Sequence, residues 1–369
     1  MVYAVVTGGG TSGHVIPAIA VCDLLVDAGY SSEQIAYVGS RRGVETSLMA
    51  RTEYTSEFLP ISGLQRSLTI RNIGRNVLLP IRLSRSRIMA RRLIRKWKPS
   101  VVISVGGYAS EPMSGAAIAT GVPLVCVSYD RVPGLATRRQ SKKAAACAVA
   151  FDNSELPRAI TTGAPVRRAM RNLDVSSART TSRTQLGIAD DALVLAVVGG
   201  SLGARSLNDS VQSLLTEIDN RHLSNVLVYH VTGERFERSP MPHVPSGVTY
   251  IRVGYEEQMA DLFSSLDLLV CRAGASTVAE VATVGIASVF VPWPGATDDH
   301  QELNARWLAD AGAALLVSDS SLTDSSAIPG IIDLLADESR REEMARHAYA
   351  MGAIHRSNAL VGLIQSVAR

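Results

Sequence analysis

A β-branched run that ends in a glycine turn occurs twice in this chain, at 5–14 (VVTGGGTSGH) and at 194–205 (VLAVVGGSLGAR). Each passes into a helix-like stretch. A doubly wound α/β domain begins this way, with the backbone amides of a helix N-terminus exposed at the turn. Two such beginnings predict two Rossmann-like doubly wound domains facing each other across a cleft. Such a cleft holds a nucleotide on one side and a second substrate on the other. The pattern points to a two-substrate enzyme.

At 369 residues the chain has room for two domains. It is 46% hydrophobic but only 5% aromatic, so the cores are built mostly from Val, Ile, Leu and Ala. Strand-like segments are expected at 2–7, 34–38, 57–61, 101–105 and 124–128, then at 226–231, 248–253, 268–271 and 288–291. Helices are expected at 17–28, 41–51, about 82–96 after the break at Pro80, and 112–121. The stretch 176–186 suits a linker or a surface helix, and the tail from 338 reads as one or two helices. The expected division is 1–163, 164–345 and a C-terminal helix, 346–369, packing back on the first domain.

Cys22, Cys126, Cys147 and Cys271 form no CxxC pair and sit in apolar neighbourhoods, as small core residues of a reducing compartment do. The sequence opens on a strand with no charged leader, and its two longest uncharged stretches are broken by Gly and Pro. A cytosolic protein is expected. From 58 to 110 there is no Asp or Glu, while eleven basic residues fall there. Because the whole chain is only +3, the remainder is net negative. A basic block on such a background suggests an anionic partner.

His14 follows the last glycine of the first loop, where a neutral imidazole can take a proton or simply cap a helix. The second glycine start, 199–205, offers amides and a hydroxyl to an anion. The turn at 271–277 (CRAGAST) precedes a helix containing Glu280. Its amides can hold a diphosphate, with Glu280 reaching a ribose hydroxyl pair or standing as a solvated helix carboxylate. No phosphate-loop lysine motif and no GxGxxG with a distal acid is present, which counts against ATP hydrolysis and nicotinamide chemistry. No cluster has metal-ligand spacing, since His300 with Asp298 and Asp299 stands alone. Neither a cofactor nor a metal is expected.

These segments, in this order, resemble the MurG family, which adds N-acetylglucosamine to a lipid-linked muramoyl-pentapeptide in bacterial peptidoglycan synthesis. The likeness runs nearly end to end, through GGGTSGHVIPA, GVET (43–46), ISGL (61–64), GGYAS (106–110), TGAPVR (162–167), GGSLGARSLN (199–208) and CRAGASTVAEVATVG (271–285). It implies the glycosyltransferase B fold and inverting transfer from UDP-N-acetylglucosamine (UDP-GlcNAc) to the acceptor 4-hydroxyl. Carried over residue by residue, it implies His14 as the base, with Asp130 and Glu45 as further candidates. Thr11, Ser12, Gly13, His14 and Asp130 would border the donor, with Arg167 and Ser201 near its diphosphate. Gly274, Ala275, Ser276 and Thr277 would add phosphate contacts, and Glu280 would bind the uridine ribose. The segment 255–259 would pass the uracil, and Gln301 would read the sugar hydroxyls with Asn304 close by. Gly106, Gly107 and Tyr108 fall on the acceptor side. Arg71, Arg75, Arg82 and Arg85 correspond to a region that docks on anionic lipid, peripheral to the inner face of the cell membrane. Nucleic acid is not an expected partner.

The chain departs from the family pattern in four places. Where the family has HEQN or HEAN, this sequence reads Val127-Ser128-Tyr129-Asp130. Ala164 stands for the asparagine of TGNPVR, Glu111 adds a charge beside GGYAS, and His300 replaces the first of two paired glutamines. A UDP-GlcNAc 2-epimerase of the same fold, a transferase with another lipid acceptor, and a non-catalytic UDP-sugar binder stay open as alternatives.

Overall fold

The computed structural model describes residues 2–63, 79–200 and 202–369. Leu64 of the ISGL segment, Arg71, Arg75 and Ser201 lie outside the described residues. The chain forms two compact units, Met1–Arg168 together with Ile354–Arg369, and Ala169–Ala353. The expected breaks at 163 and 345 compare with unit boundaries after Arg168 and Ala353.

The first unit holds a seven-stranded sheet of β1 (Ala4–Thr7), β2 (Ile35–Ser40), β3 (Thr55–Leu59), β4 (Val101–Ser104), β5 (Leu124–Ser128), β6 (Ala146–Val149) and β7 (Ala159–Thr161). Its order is β3-β2-β1-β4-β5-β6-β7. The second unit holds β8 (Leu193–Val198), β9 (Val226–Val231), β10 (Val248–Val253), β11 (Leu268–Cys271), β12 (Ser288–Phe290) and β13 (Leu315–Leu316), in the order β10-β9-β8-β11-β12-β13. Every pairing is parallel. Parallel strands are covered on both faces, which is why the central strands are mostly Val, Ile, Leu and Ala and are buried along almost their whole length.

The strand order reverses between β1 and β4 in one sheet and between β8 and β11 in the other. Thr7 pairs with Ser104 at the first reversal, and Val198 with Cys271 at the second. Within each unit the two loops that leave these strands are therefore neighbours at a topological switch point, the usual ligand crevice of such a sheet. All four carry the glycine motifs singled out above.

Three local expectations change. The first helix runs Ser12–Asp27, with Pro17 inside it rather than at its start. Proline's φ suits a helix; what it lacks is the amide that residue 13's carbonyl would use. The basic helix spans Leu79–Trp97 and takes Pro80 into its first turn, where a missing amide costs nothing. The segment around 176–186 is a helix, Val175–Leu186. The Asp174 carboxylate accepts from the amides of Ser176 and Ser177, and left-handed Gly187 ends it. The four cysteines are buried and free. The last helix, Ala359–Val367, packs on β4 and β6 of the first unit with Leu360 and Ile364 buried.

Candidate active site

In the first unit the switch point is built from interlocked glycine turns. Gly107 has φ +76°, and a Cβ there would lie 2.1 Å from the Gly9 carbonyl oxygen, so only glycine fits. Beneath this crossing the Glu45 carboxylate is fully buried and accepts from the Gly10 amide at 2.8 Å. Burial raises its pKa, partly offset by the backbone amides around it. Tyr37 donates to the Gly8 carbonyl at 2.6 Å from below. Tyr108 packs against Gly10 and Gly63.

His14 lies in the first turn of the helix Ser12–Asp27, with Thr11, Ser12 and Gly13 immediately before it. Its Nδ1 is 3.2 Å from the Thr11 hydroxyl, and its ring lies over the Gly106–Gly107 backbone. Burial lowers its pKa, against an opposing pull from the Asp130 charge. The imidazole is therefore neutral at neutral pH and able to accept a proton. Tyr129, next to Asp130, is buried and meets the His14 ring edge-on at 6.4 Å between centroids. Its hydroxyl donates to the Gly13 carbonyl at 2.5 Å.

In the second unit the helix Ala275–Val284 starts directly after the β11 turn, with Gly274 at its N-cap. Glycine has no side chain to satisfy the first amides, so those of Ala275, Ser276 and Thr277 are left uncapped by it, an arrangement able to accept an anion. Glu280 is buried on the same helix. Asn304 is fully buried, and its Nδ2 lies 3.5 Å from the Ala273 carbonyl, at the edge of hydrogen-bond reach. Gln301 accepts from the Trp293 amide through Oε1 at 3.0 Å, pinning the proline loop that leaves β12.

Arg272, inside the same motif, is engaged by four protein acceptors. Its Nη1 donates to the carbonyls of Val291 and Pro292 and to Asp319 Oδ1 (2.6 Å), and its Nη2 donates to the Ser206 hydroxyl (2.7 Å). Ser206 in turn donates to Asp319. One guanidinium thus ties together the β11 turn, the proline loop and the helices Arg205–Asn220 and Asp319–Thr323. A second brace lies under the loop after β8. Asn208 donates to the Thr232 carbonyl, so its Oδ1 must accept from His230 Nε2, and His230 Nδ1 then accepts from the Tyr250 hydroxyl. Burial, aided by Arg252, lowers the His230 pKa to about 4, so this ring stays neutral.

The first unit gathers Thr11, Ser12, Gly13, His14, Glu45, Gly106, Gly107, Tyr108 and Asp130 around one helix start. Arg167 follows Pro165 in that unit and is half-buried. Gly274, Ala275, Ser276, Thr277, Glu280 and Gln301 belong to the second. In the basic helix Arg82 turns toward the Ser62 hydroxyl at 3.3 Å, whereas Arg85 is exposed beside Ile81 and Ile88. Arg87 pairs with Glu111, which gives that unusual acid a partner. Sequence reasoning left Tyr129, Ser206 and Asp319 without roles. Nothing local marks them, and Pro17 reads from the sequence as the start of a helix. Among the described residues no helix is long and apolar enough to cross a membrane.

Residues 4–149 match the glycosyltransferase family 28 N-terminal domain, and residues 194–359 match the family 28 C-terminal domain. The UDP-N-acetylglucosamine--N-acetylmuramyl-(pentapeptide) pyrophosphoryl-undecaprenol N-acetylglucosamine transferase of Desulforudis audaxviator is 33% identical over 376 residues, spanning 99% of this chain and 98% of that protein. The protein of the same name from Streptomyces coelicolor is 33% identical over 362 residues, spanning 98% and 97%. Among solved structures, Acinetobacter baumannii MurG superposes with a TM-score of 0.74 at 28% identity over 99% of each chain. A UDP-GlcNAc 2-epimerase from Neisseria meningitidis, at 13% identity and a TM-score of 0.64 over 99% of this chain and 100% of that one, shares the fold alone.

Proposed function

The chain belongs to glycosyltransferase family 28, and we propose that it moves N-acetylglucosamine from UDP-GlcNAc to the 4-hydroxyl of a lipid-linked muramoyl-pentapeptide, with inversion. The observation that carries this reading is the glycine-capped N-terminus of Ala275–Val284 at a switch point, with Glu280 buried on the same helix. Glu280 stands five residues from the first helical amide, about 7.5 Å along the axis, a span suited to diphosphate at the helix end and ribose at the carboxylate. The full-length likeness to relatives named for this reaction supplies the substrates.

His14 is the base. Nδ1 is 3.2 Å from the Thr11 hydroxyl; in the tautomer that carries its proton on Nδ1, Nε2 keeps the lone pair that takes the proton of the attacking hydroxyl. The anomeric carbon passes through an oxocarbenium-like state while negative charge grows on UDP. The amides of Ala275, Ser276 and Thr277 stabilise that charge, and the family likeness assigns Ser201 and Arg167 to the diphosphate. Glu45 supports the glycine loop, and Asp130 sets the charge around His14. Gln301 and Asn304 meet the sugar, and residues 255–259 the uracil. Gly106, Gly107 and Tyr108 form the acceptor side.

The acceptor is membrane-bound, and the helix Leu79–Trp97 suits a cytoplasmic-face docking site. Ile81 and Ile88, 59% and 52% exposed, share its outer side with arginines that include Arg85, Arg91 and Arg92. Apolar groups inserted among basic ones bind anionic lipid surfaces. Vesicles rich in anionic lipid should retain the protein in a salt-sensitive way and neutral vesicles should not. The reaction itself is tested by UDP release from UDP-GlcNAc with and without a soluble lipid-linked muramoyl-peptide analogue. Release only with the analogue supports the transferase, release without it favours an epimerase or hydrolase, and UDP binding without any release points to another acceptor or a binding-only protein.

A further inference from the structure

We propose that Tyr129 is a positioning residue for His14, acting through the Gly13 carbonyl that Pro17 leaves without its helical partner. This rests on the reading of His14 as the base. In an α-helix the carbonyl of residue 13 accepts from the amide of residue 17, and residue 17 is a proline without an N–H. The Tyr129 hydroxyl fills that place at 2.5 Å, from a segment 116 positions away in sequence.

The consequence falls on the first turn of the helix Ser12–Asp27. Gly13 precedes His14 directly, and glycine gives the turn little stiffness of its own. An interior proline removes one of the bonds that would hold the turn to the rest of the helix. The hydroxyl from the end of β5 supplies the bond instead and ties the turn to the sheet. Tyr129 is 6% exposed, and burial keeps its hydroxyl protonated as a donor. The same ring stands edge-on to His14. Its neighbour Asp130 is the charged group that acts on the imidazole. The segment in which this chain departs most from its family pattern therefore supplies both the fastening and the charge for His14.

The test is a double-mutant cycle of Tyr129→Phe and Pro17→Ala in the full-length protein, read by kcat, by KM for UDP-GlcNAc and by an NMR titration of His14 assigned by its loss in His14→Ala. Pro17→Ala gives residue 17 an amide, so the carbonyl no longer depends on Tyr129. Tyr129→Phe alone should lower kcat about tenfold, the worth of one well-placed hydrogen bond, and leave the donor KM within about twofold. The His14 midpoint should move up toward the ordinary imidazole value as water reaches the ring. In the Pro17→Ala background the same change should cost less than about twofold. An equal loss in both backgrounds, or no change in either kcat or the titration, overturns the proposal. If His14→Ala keeps near-normal turnover, the base reading fails by itself. The titration then still reports whether Tyr129 fastens the turn.

Discussion

His14 carries two opposed influences, burial that lowers its pKa and the Asp130 charge that raises it, with burial the larger. The base form exists above the pKa, so turnover should persist below the usual imidazole value and fall only as pH drops through the depressed one. Asp130→Asn removes the raising influence and should move the acid limb of the kcat–pH profile further down. His14→Ala should lower kcat by about 10² to 10⁴ across the profile, the ordinary worth of a general base. Glu45 offers a stability counterpart. Its folded pKa is raised, so the fold favours the protonated carboxyl. The contribution is full below the ordinary carboxyl value and is lost as pH climbs through the raised one. Glu45→Gln keeps an acceptor for the Gly10 amide but does not titrate. Denaturant melts over about pH 4 to 8 should show the native chain losing ground to this variant as pH rises.

At the scale of elements the Arg272 cluster braces the loops that leave β11 and β12. Arg272→Lys replaces a fork that reaches four acceptors with a single ammonium. It should raise the KM for UDP-GlcNAc about tenfold or more through loss of charge-assisted bonds, with a smaller change in kcat. Asp319→Asn should weaken UDP binding in the same direction although Asp319 belongs to no donor motif. If Arg272 met the diphosphate directly, removing the competing Asp319 charge would strengthen UDP binding rather than weaken it. Isothermal titration with UDP distinguishes the two. This cluster also marks where reading the sequence stops. The switch-point loops were legible because each joins a β-branched run to glycines at a helix start, a local pattern with one common structural outcome. The spacing of Glu280 from its turn was legible for the same reason. Arg272 and Asp319 are 47 positions apart, and Tyr129 and Gly13 are 116 apart. Partners of that kind exist only after the sheet has brought strand ends together. Pro17 misled for a related reason: its local preference is to start a helix, and a distant hydroxyl lets it sit inside one.

For the molecule as a whole, the tail is part of the first unit. A Cβ on Gly163 would lie 2.7 Å from the Ile354 carbonyl, and His355 Nδ1 accepts from the Ala164 amide at 2.9 Å. Together with buried Leu360, Val361 and Ile364, these contacts make residues 354–369 a structural closure for the TGAP turn and the β4–β6 face. Removing them should cost the first unit several kcal/mol, at about 1.5–3 kcal/mol per large buried side chain. Calorimetry of the truncated chain should show one transition displaced to lower temperature and a second, from Ala169–Ala353, unmoved.

The same arrangement sets an order on biosynthesis. The piece that completes the first unit is encoded after the whole of the second. At roughly 5–20 residues per second the ribosome takes on the order of ten to forty seconds to make the intervening segment. Through that interval the nascent first half waits with the part of its sheet over β4 and β6 that the last helix covers left open. The half begun first is finished last, and its uncovered apolar face is the natural target for a chaperone.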